Sequence, residues 1–221
     1  MTTFVLIHGA GDSGWYWHLV AAELVERGHD VVAPDLPADD DTADLQTYAD
    51  AVVAAIGEHD ELVVVSQSFG GFTAPLVCHR LPAALLVFVA GMIPSPGERP
   101  DDWWSRTGHD REPRERDLDD AATYYHDVAP ELASEAMRRG RNHPSPAAGR
   151  EPWPLPAMPD VPTRSLLCRD DRLFPADFMR RITSERLGIT ADEIDGGHCV
   201  ALSRPLELAD RFERFLAATR S

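Results

Sequence analysis

Leu62-Val63-Val64-Val65-Ser66-Gln67-Ser68-Phe69-Gly70-Gly71 is the stretch on which the fold turns. Its first half, Leu62–Ser66, is an apolar, valine-rich run continuous enough for a central strand covered on both faces. The run breaks at Ser68-Phe69-Gly70-Gly71, and a helix is predicted to follow. A serine on so sharp a strand-to-helix turn must take strained dihedrals, and small residues two before and two after it let the backbones pass. Ser66 and Gly70 meet that demand. The turn lifts the Ser68 Oγ above the carboxyl edge of a sheet and beside a helix N-terminus, with the N–H of Phe69 facing any oxyanion that forms there.

Outward from this turn, short apolar runs alternate with helical patterns, the βαβ signature of a mostly parallel α/β sheet flanked by helices. Phe4–Ile7 reads as a buried strand ending at His8-Gly9-Ala10-Gly11. Trp17, Val20, Ala21, Leu24 and Val25 then follow helical spacing up to Gly28. Asp30–Ala33 and Ala84–Ala90 are further strands, and Leu45, Tyr48, Val52 and Ile56 mark a second helix. Thr163–Cys168 and Thr190–Ile194 resume the strand pattern, and Pro205–Leu216 closes the chain as a helix with a stripe of Leu208, Phe212, Phe215 and Leu216. Between Pro94 and Pro162 lie 12 of the 18 prolines. The alternation lapses there, although Ala121–Arg139 is predicted to hold one or two helices. The chain therefore divides into a core at 1–93 and 160–221 and an inserted cap at 94–159.

Composition narrows the function. Against 37 Asp and Glu stand 21 basic residues, for a net charge of −16 in 221 residues. Such a chain repels nucleic acid and anionic membranes. Every basic residue is Arg, which removes the lysine needed for Schiff-base or P-loop chemistry. Cys78, Cys168 and Cys199 lack the spacing of a zinc site or a disulfide framework, and Cys199 reads as a small packing residue. No metal or cofactor is expected. The acidic run around Asp39-Asp40-Asp41 reads as a solvated face without the ligand spacing of a calcium loop. The N-terminus shows neither a basic leader region nor a long apolar run, and no stretch reaches the length of a membrane span. The expectation is a cytoplasmic protein acting on a small molecule, its oligomeric state open between monomer and homodimer.

The residues that could carry chemistry cluster at strand ends. Gly196-Gly197-His198 follows the last strand, and a histidine on a glycine loop can swing toward Ser68 as general base. Cys168-Arg169-Asp170-Asp171 ends the preceding strand and offers an aspartate to orient the imidazole, with Asp195 as a more local competitor. The loop after the first strand offers a second oxyanion donor at Ala10, whereas His8 reads as structural, bonding that loop from the core side. Trp103, Trp104, Tyr124 and Tyr125 are candidates both for a substrate pocket and for holding the cap on the core. His143, between prolines, reads as an exposed cap residue.

These motifs together resemble the α/β-hydrolase superfamily, and within it the plant methyl-ester esterase and hydroxynitrile lyase group. The likeness runs through Phe4-Val5-Leu6-Ile7-His8-Gly9-Ala10 with Trp15-Tyr16-Trp17, and through Gly28-His29-Asp30-Val31 and Ala33-Pro34-Asp35-Leu36. It continues in Ser68-Phe69-Gly70-Gly71 and in Asp171-Arg172-Leu173-Phe174 with Asp177-Phe178. It covers residues 3–93 and 163–217 and reaches the cap much less well. The resemblance implies an α/β-hydrolase fold and selects Asp171 over Asp170, in the chain order Ser68, Asp171, His198. It also sorts reactions. Hydroxynitrile lyases of this group carry lysine after the catalytic histidine and threonine in the first oxyanion loop, where Cys199 and Ala10 stand here. Haloperoxidase-like relatives place methionine where Phe69 stands, and dehalogenases place aspartate where Ser68 stands. The implied activity is a carboxylic ester hydrolase acting through Ser68 on small to medium apolar substrates, with thioesters or lactones included. Two rivals are a lyase or C–C bond hydrolase using the same triad, and a ligand-binding protein without turnover.

Overall fold

The computed structural model describes residues 1–59, 61–112, 119–141 and 144–220. The strands are β1 (Thr2–Ile7), β2 (Asp30–Val32), β3 (Glu61–Gln67), β4 (Ala83–Val89), β5 (Thr163–Cys168) and β6 (Asp192–Ile194). They form one sheet in the order β2-β1-β3-β4-β5-β6, and every pairing is parallel. Between them run α1 (His18–Glu26), α2 (Leu45–Ile56) and α3 (Ala74–Arg80). Four short helices, α4 (Trp103–Arg106), α5 (Asp120–Tyr124), α6 (Pro130–Arg139) and α7 (Pro146–Arg150), lie between β4 and β5. The chain ends with α8 (Ala176–Leu187), α9 (Val200–Ser203) and α10 (Pro205–Thr219).

The apolar runs become strands because both faces of the sheet are covered. All six residues of β1 and all but the first of β3 are buried. The helices cover these faces with their apolar stripes. In α2 the buried set is Leu45, Tyr48, Ala49, Val52 and Ile56, and the Asp44 carboxylate caps its N-terminus by accepting from the Thr47 N–H at 2.8 Å. In α10 it is Leu208, Ala209, Phe212, Phe215 and Leu216, the stripe that helical spacing predicts, with one alanine added.

Some expectations need correction. Val25 does not face the core; it is 58% exposed, because only Val20 and Leu24 of α1 reach the sheet. The turn after β3 does not enter an α-helix directly. Ser68–Phe72 forms a 3-10 turn first, and α3 starts only at Ala74. Helix α8 had no signal in the apolar pattern, since Phe178, Met179, Ile182 and Thr183 are its only buried residues among several arginines. His143 and the cap positions 113–118 lie outside the described residues. The acidic residues Asp39, Asp40 and Asp41 are exposed, as a solvated face requires.

Register places the chemistry. β1 and β3 align from Thr2↔Glu61 to Ile7↔Ser66, so the chain leaves both strands at the same level. The connections run to opposite sides here, β1 to β2 on one flank and β3 to β4 on the other. A crevice at such a switch point, outside the carboxyl ends of parallel strands, is where open α/β sheets bind ligands.

Candidate active site

Ser68 stands at that crevice with φ of 50°, one of two non-glycine residues with positive φ among those described. This backbone costs about 1 kcal/mol for an L-residue and has to be imposed by its surroundings. Close packing imposes it. A Cβ on Gly9 would sit 2.1 Å from Gln67 Oε1 and 2.9 Å from Ser68 Cβ; one on Gly70 would sit 2.7 Å from the His8 carbonyl. The first glycine loop and the serine turn therefore interlock, Gly9 against the Gln67 and Ser68 side chains and Gly70 against the His8 and Ile7 carbonyls, where a side chain would meet backbone. Ser66, where a glycine would be more usual, is fully buried, with its hydroxyl donating to the Val87 carbonyl at 3.4 Å.

His8 secures the loop from below. Its Nε2 accepts from the Leu36 N–H at 3.1 Å, so Nδ1 carries the proton and donates to the Gly9 carbonyl at 2.9 Å. Burial lowers its pKa to about 4, so it stays neutral.

Across the crevice, His198 Nδ1 lies 2.8 Å from Asp171 Oδ2, both residues buried. The other oxygen of Asp171 accepts from the backbone N–H groups of Leu173 at 2.8 Å and Phe174 at 2.9 Å. The carboxylate is thereby fixed in orientation and holds the imidazole with its proton on Nδ1, which leaves the Nε2 lone pair available. Asp170 turns the other way and accepts from the Gly196 N–H at 3.2 Å, while Asp195 pairs with Arg169. The geometry thus selects among the three aspartates. The glycines before His198 are held from the cap, where Asp127 accepts from the Gly197 N–H at 2.8 Å.

Ser68 and His198 line one cavity of about 510 Å³, together with Ala10, Phe69, Trp104 and Tyr124. Trp103 does not line it. That side chain is fully buried against Phe174, Phe178 and His109, with its indole N–H donating to the Ile93 carbonyl at 3.1 Å. The cap aromatics therefore divide: Trp103 and Trp153 fasten the segment to the core, and Trp104, Tyr124 and Tyr125 face the cavity. Cys199 also borders it, but burial, reinforced by nearby carboxylates, holds its thiol protonated well above the ordinary range, so it is no nucleophile. Several lining residues escaped sequence reasoning, among them Asp12, Asp101, Asp120 and Arg141. Among the described residues, no group of three or more His, Cys, Asp or Glu side chains is arranged to hold a metal ion, and no helix is long and apolar enough to cross a membrane.

The model of the family described as "Alpha/beta hydrolase family" matches residues 4–211. The chain belongs to the alpha/beta hydrolase family. Among curated relatives of this hydrolase, methylesterase 7 of Arabidopsis thaliana is 27% identical, over 95% of this chain and 96% of the relative. Norfluorocurarine synthase 1 of Strychnos nux-vomica is 24% identical, over 93% and 91%. Among solved structures, polyneuridine aldehyde esterase superposes with a TM-score of 0.83 at 20% identity, covering all of both chains. The relatives are thus esterase-like at modest identity, on a shared fold that hosts more than one named activity.

Proposed function

We propose that this hydrolase cleaves carboxylic esters of small to medium apolar substrates by two-step acyl transfer through Ser68. The observation that carries the reading is the placement of Ser68, on its positive-φ turn, in the same cavity as a His198 whose Nδ1 is committed to Asp171. The ester settles between core and cap with its carbonyl oxygen against the N–H groups of Ala10 and Phe69. His198 Nε2 takes the Ser68 proton as Oγ bonds to the carbonyl carbon, and the resulting oxyanion is held by those donors. One such donor is typically worth about 3 kcal/mol. Asp171 stabilises the imidazolium without taking its proton. The carbon–alcohol bond then breaks, and the alcohol leaves with the proton from His198. Water gives a proton to the same nitrogen, attacks the acyl-enzyme and releases the acid, restoring Ser68. The chain's own residues supply every proton transfer, and a cavity of about 510 Å³ suits a small to medium acyl and alcohol pair.

The experiment is release of p-nitrophenol from acetate, butyrate and octanoate esters by the parent and by Ser68→Ala. Turnover by the parent and none above background by the folded variant is expected. Equal turnover by both would overturn the mechanism; acid-free aldehyde or ketone products from other substrates would favour a lyase.

A further inference from the structure

Asp12 sits two residues beyond the candidate oxyanion donor Ala10, in the loop after β1. It lines the cavity, yet it is only 9% exposed. Among the described residues no hydrogen bond or ion pair reaches its carboxyl group. Around it stand His198, Cys199, Tyr125 from the cap and Tyr16 from the turn before α1, each close enough to sense its charge. None of these supplies a permanent cation. Burial pushes the Asp12 carboxyl up to about 7, against a downward pull from His198.

The rest of the cavity leans the same way. Asp101 and Asp120 also line it, and Arg141, the one arginine among the described lining residues, is engaged by Asp35 and Asp39 at 3.4 Å each. Trp104, Tyr124 and Tyr125 line it as well, aromatic rings of the kind that attract a cation. A carboxyl group drawn out of water and left without a partner is costly, and the cost falls when a ligand brings the missing positive charge.

We infer that Asp12 is a specificity residue that receives a protonated amine on the substrate, so that the preferred esters carry a basic nitrogen a few bonds from the scissile carbonyl. The inference rests on the esterase reading for its chemistry and on the Asp12 environment for its selectivity. The amine would pair with the carboxylate while the ester carbonyl lies at Ser68 in the same cavity.

The test uses two isosteric esters at neutral pH, 2-(dimethylamino)ethyl butyrate, which is protonated, and 3-methylbutyl butyrate, which is neutral. The parent should favour the amine by about tenfold or more in kcat/KM. Asp12→Asn should bring the ratio close to one, and Asp12→Glu should restore most of the preference. A ratio near one in the parent, or a preference untouched by Asp12→Asn, overturns the inference while leaving the esterase reading intact. Calorimetric binding of N,N-dimethylbutylamine to the folded parent and to both variants decides the matter independently of turnover. Binding weakened about tenfold or more by Asp12→Asn and kept by Asp12→Glu supports the inference even if neither ester is cleaved; binding that is absent or indifferent to Asp12 contradicts it.

Discussion

Around Ser68 the chain is positioned by glycines packed too closely for a Cβ: Gly70 against the His8 carbonyl, Gly71 beside the Met92 carbonyl, and Gly9 against the Gln67 and Ser68 side chains. Above it, the cap is tied by side chains instead. The Trp153 indole reaches the Phe72 carbonyl, the Trp103 indole reaches the Ile93 carbonyl, and Arg186 of α8 grips the fully buried Glu98. The contrast separates two tasks. The sheet edge brings Ser68 and His198 to one cavity through loops with little room to vary, whereas the cap, apart from Asp127 on the Gly197 N–H, reaches the core through side chains away from these two residues. The motifs that carry the sequence resemblance to the esterase group accordingly lie along the edge loops, and few lie in the cap.

The largest effect expected at the edge is chemical. Asp171→Asn can still accept from the Leu173 and Phe174 N–H groups, so the loop should keep its shape. The wrong imidazole tautomer should nonetheless lower kcat on the order of 10⁴-fold. Asp170→Asn, whose carboxylate accepts from the Gly196 N–H and does not meet His198, should change kcat by a few-fold at most. Steady-state kinetics of the two neighbours would break the comparison if both fell equally.

Next is a pH effect on stability at the same edge. The folded-state pKa of Asp12, about 7, lies above its ordinary 3.8. Between those values the folded protein holds a proton that the unfolded chain has released, so the parent loses stability as pH rises from about 4 to 7. Asp12→Asn escapes that loss, and its stability relative to the parent should improve by about 4 kcal/mol over this range. His8 acts in the opposite sense. Its folded pKa of about 4 lies below 6.5, so stability falls as pH drops between them, by about 3 kcal/mol. The two slopes oppose each other in the parent, and denaturation of Asp12→Asn across pH should uncover the His8 slope, added to that of the paired surface carboxylates at the acid end.

The smallest effect belongs to the cap. Glu98→Gln removes the charge opposite Arg186, whose guanidinium donates to Glu98 Oε1 at 2.8 Å in a buried setting. Stability should fall by about 3 kcal/mol. Turnover of a small ester should change little, because nothing at the sheet edge moves. Urea unfolding beside acetate-ester kinetics separates the two readouts, and a large loss of kcat would show the cap placing the reacting groups too.

Much of this was legible in order along the chain. Valine-rich runs marked β1 and β3, helical spacing marked α2 and α10, and the small residues flanking Ser68 marked the turn. His8 could be read as structural because a histidine ending a buried strand needs partners from the core. What stayed hidden depends on contacts between distant segments. Spacing alone could not choose between Asp170 and Asp171, since the choice is made by which carboxylate meets His198 across the crevice. Trp103 and Trp104 are neighbours in sequence, yet only the fold sends one into the core and the other to the cavity. Asp12 reads as a loop carboxylate until Tyr125 and the His198 loop close over it. Its one sequence signal was a charge set within the glycine loop after the first strand.

The central claim is that Ser68 is activated by His198. Labelling with a fluorophosphonate, followed by peptide mass spectrometry, tests it without knowledge of the substrate. A single adduct on Ser68 in the parent, formed about 10³-fold more slowly in His198→Ala, is predicted. A folded parent that takes no label, or takes it at Ser66 or another serine, would contradict the account.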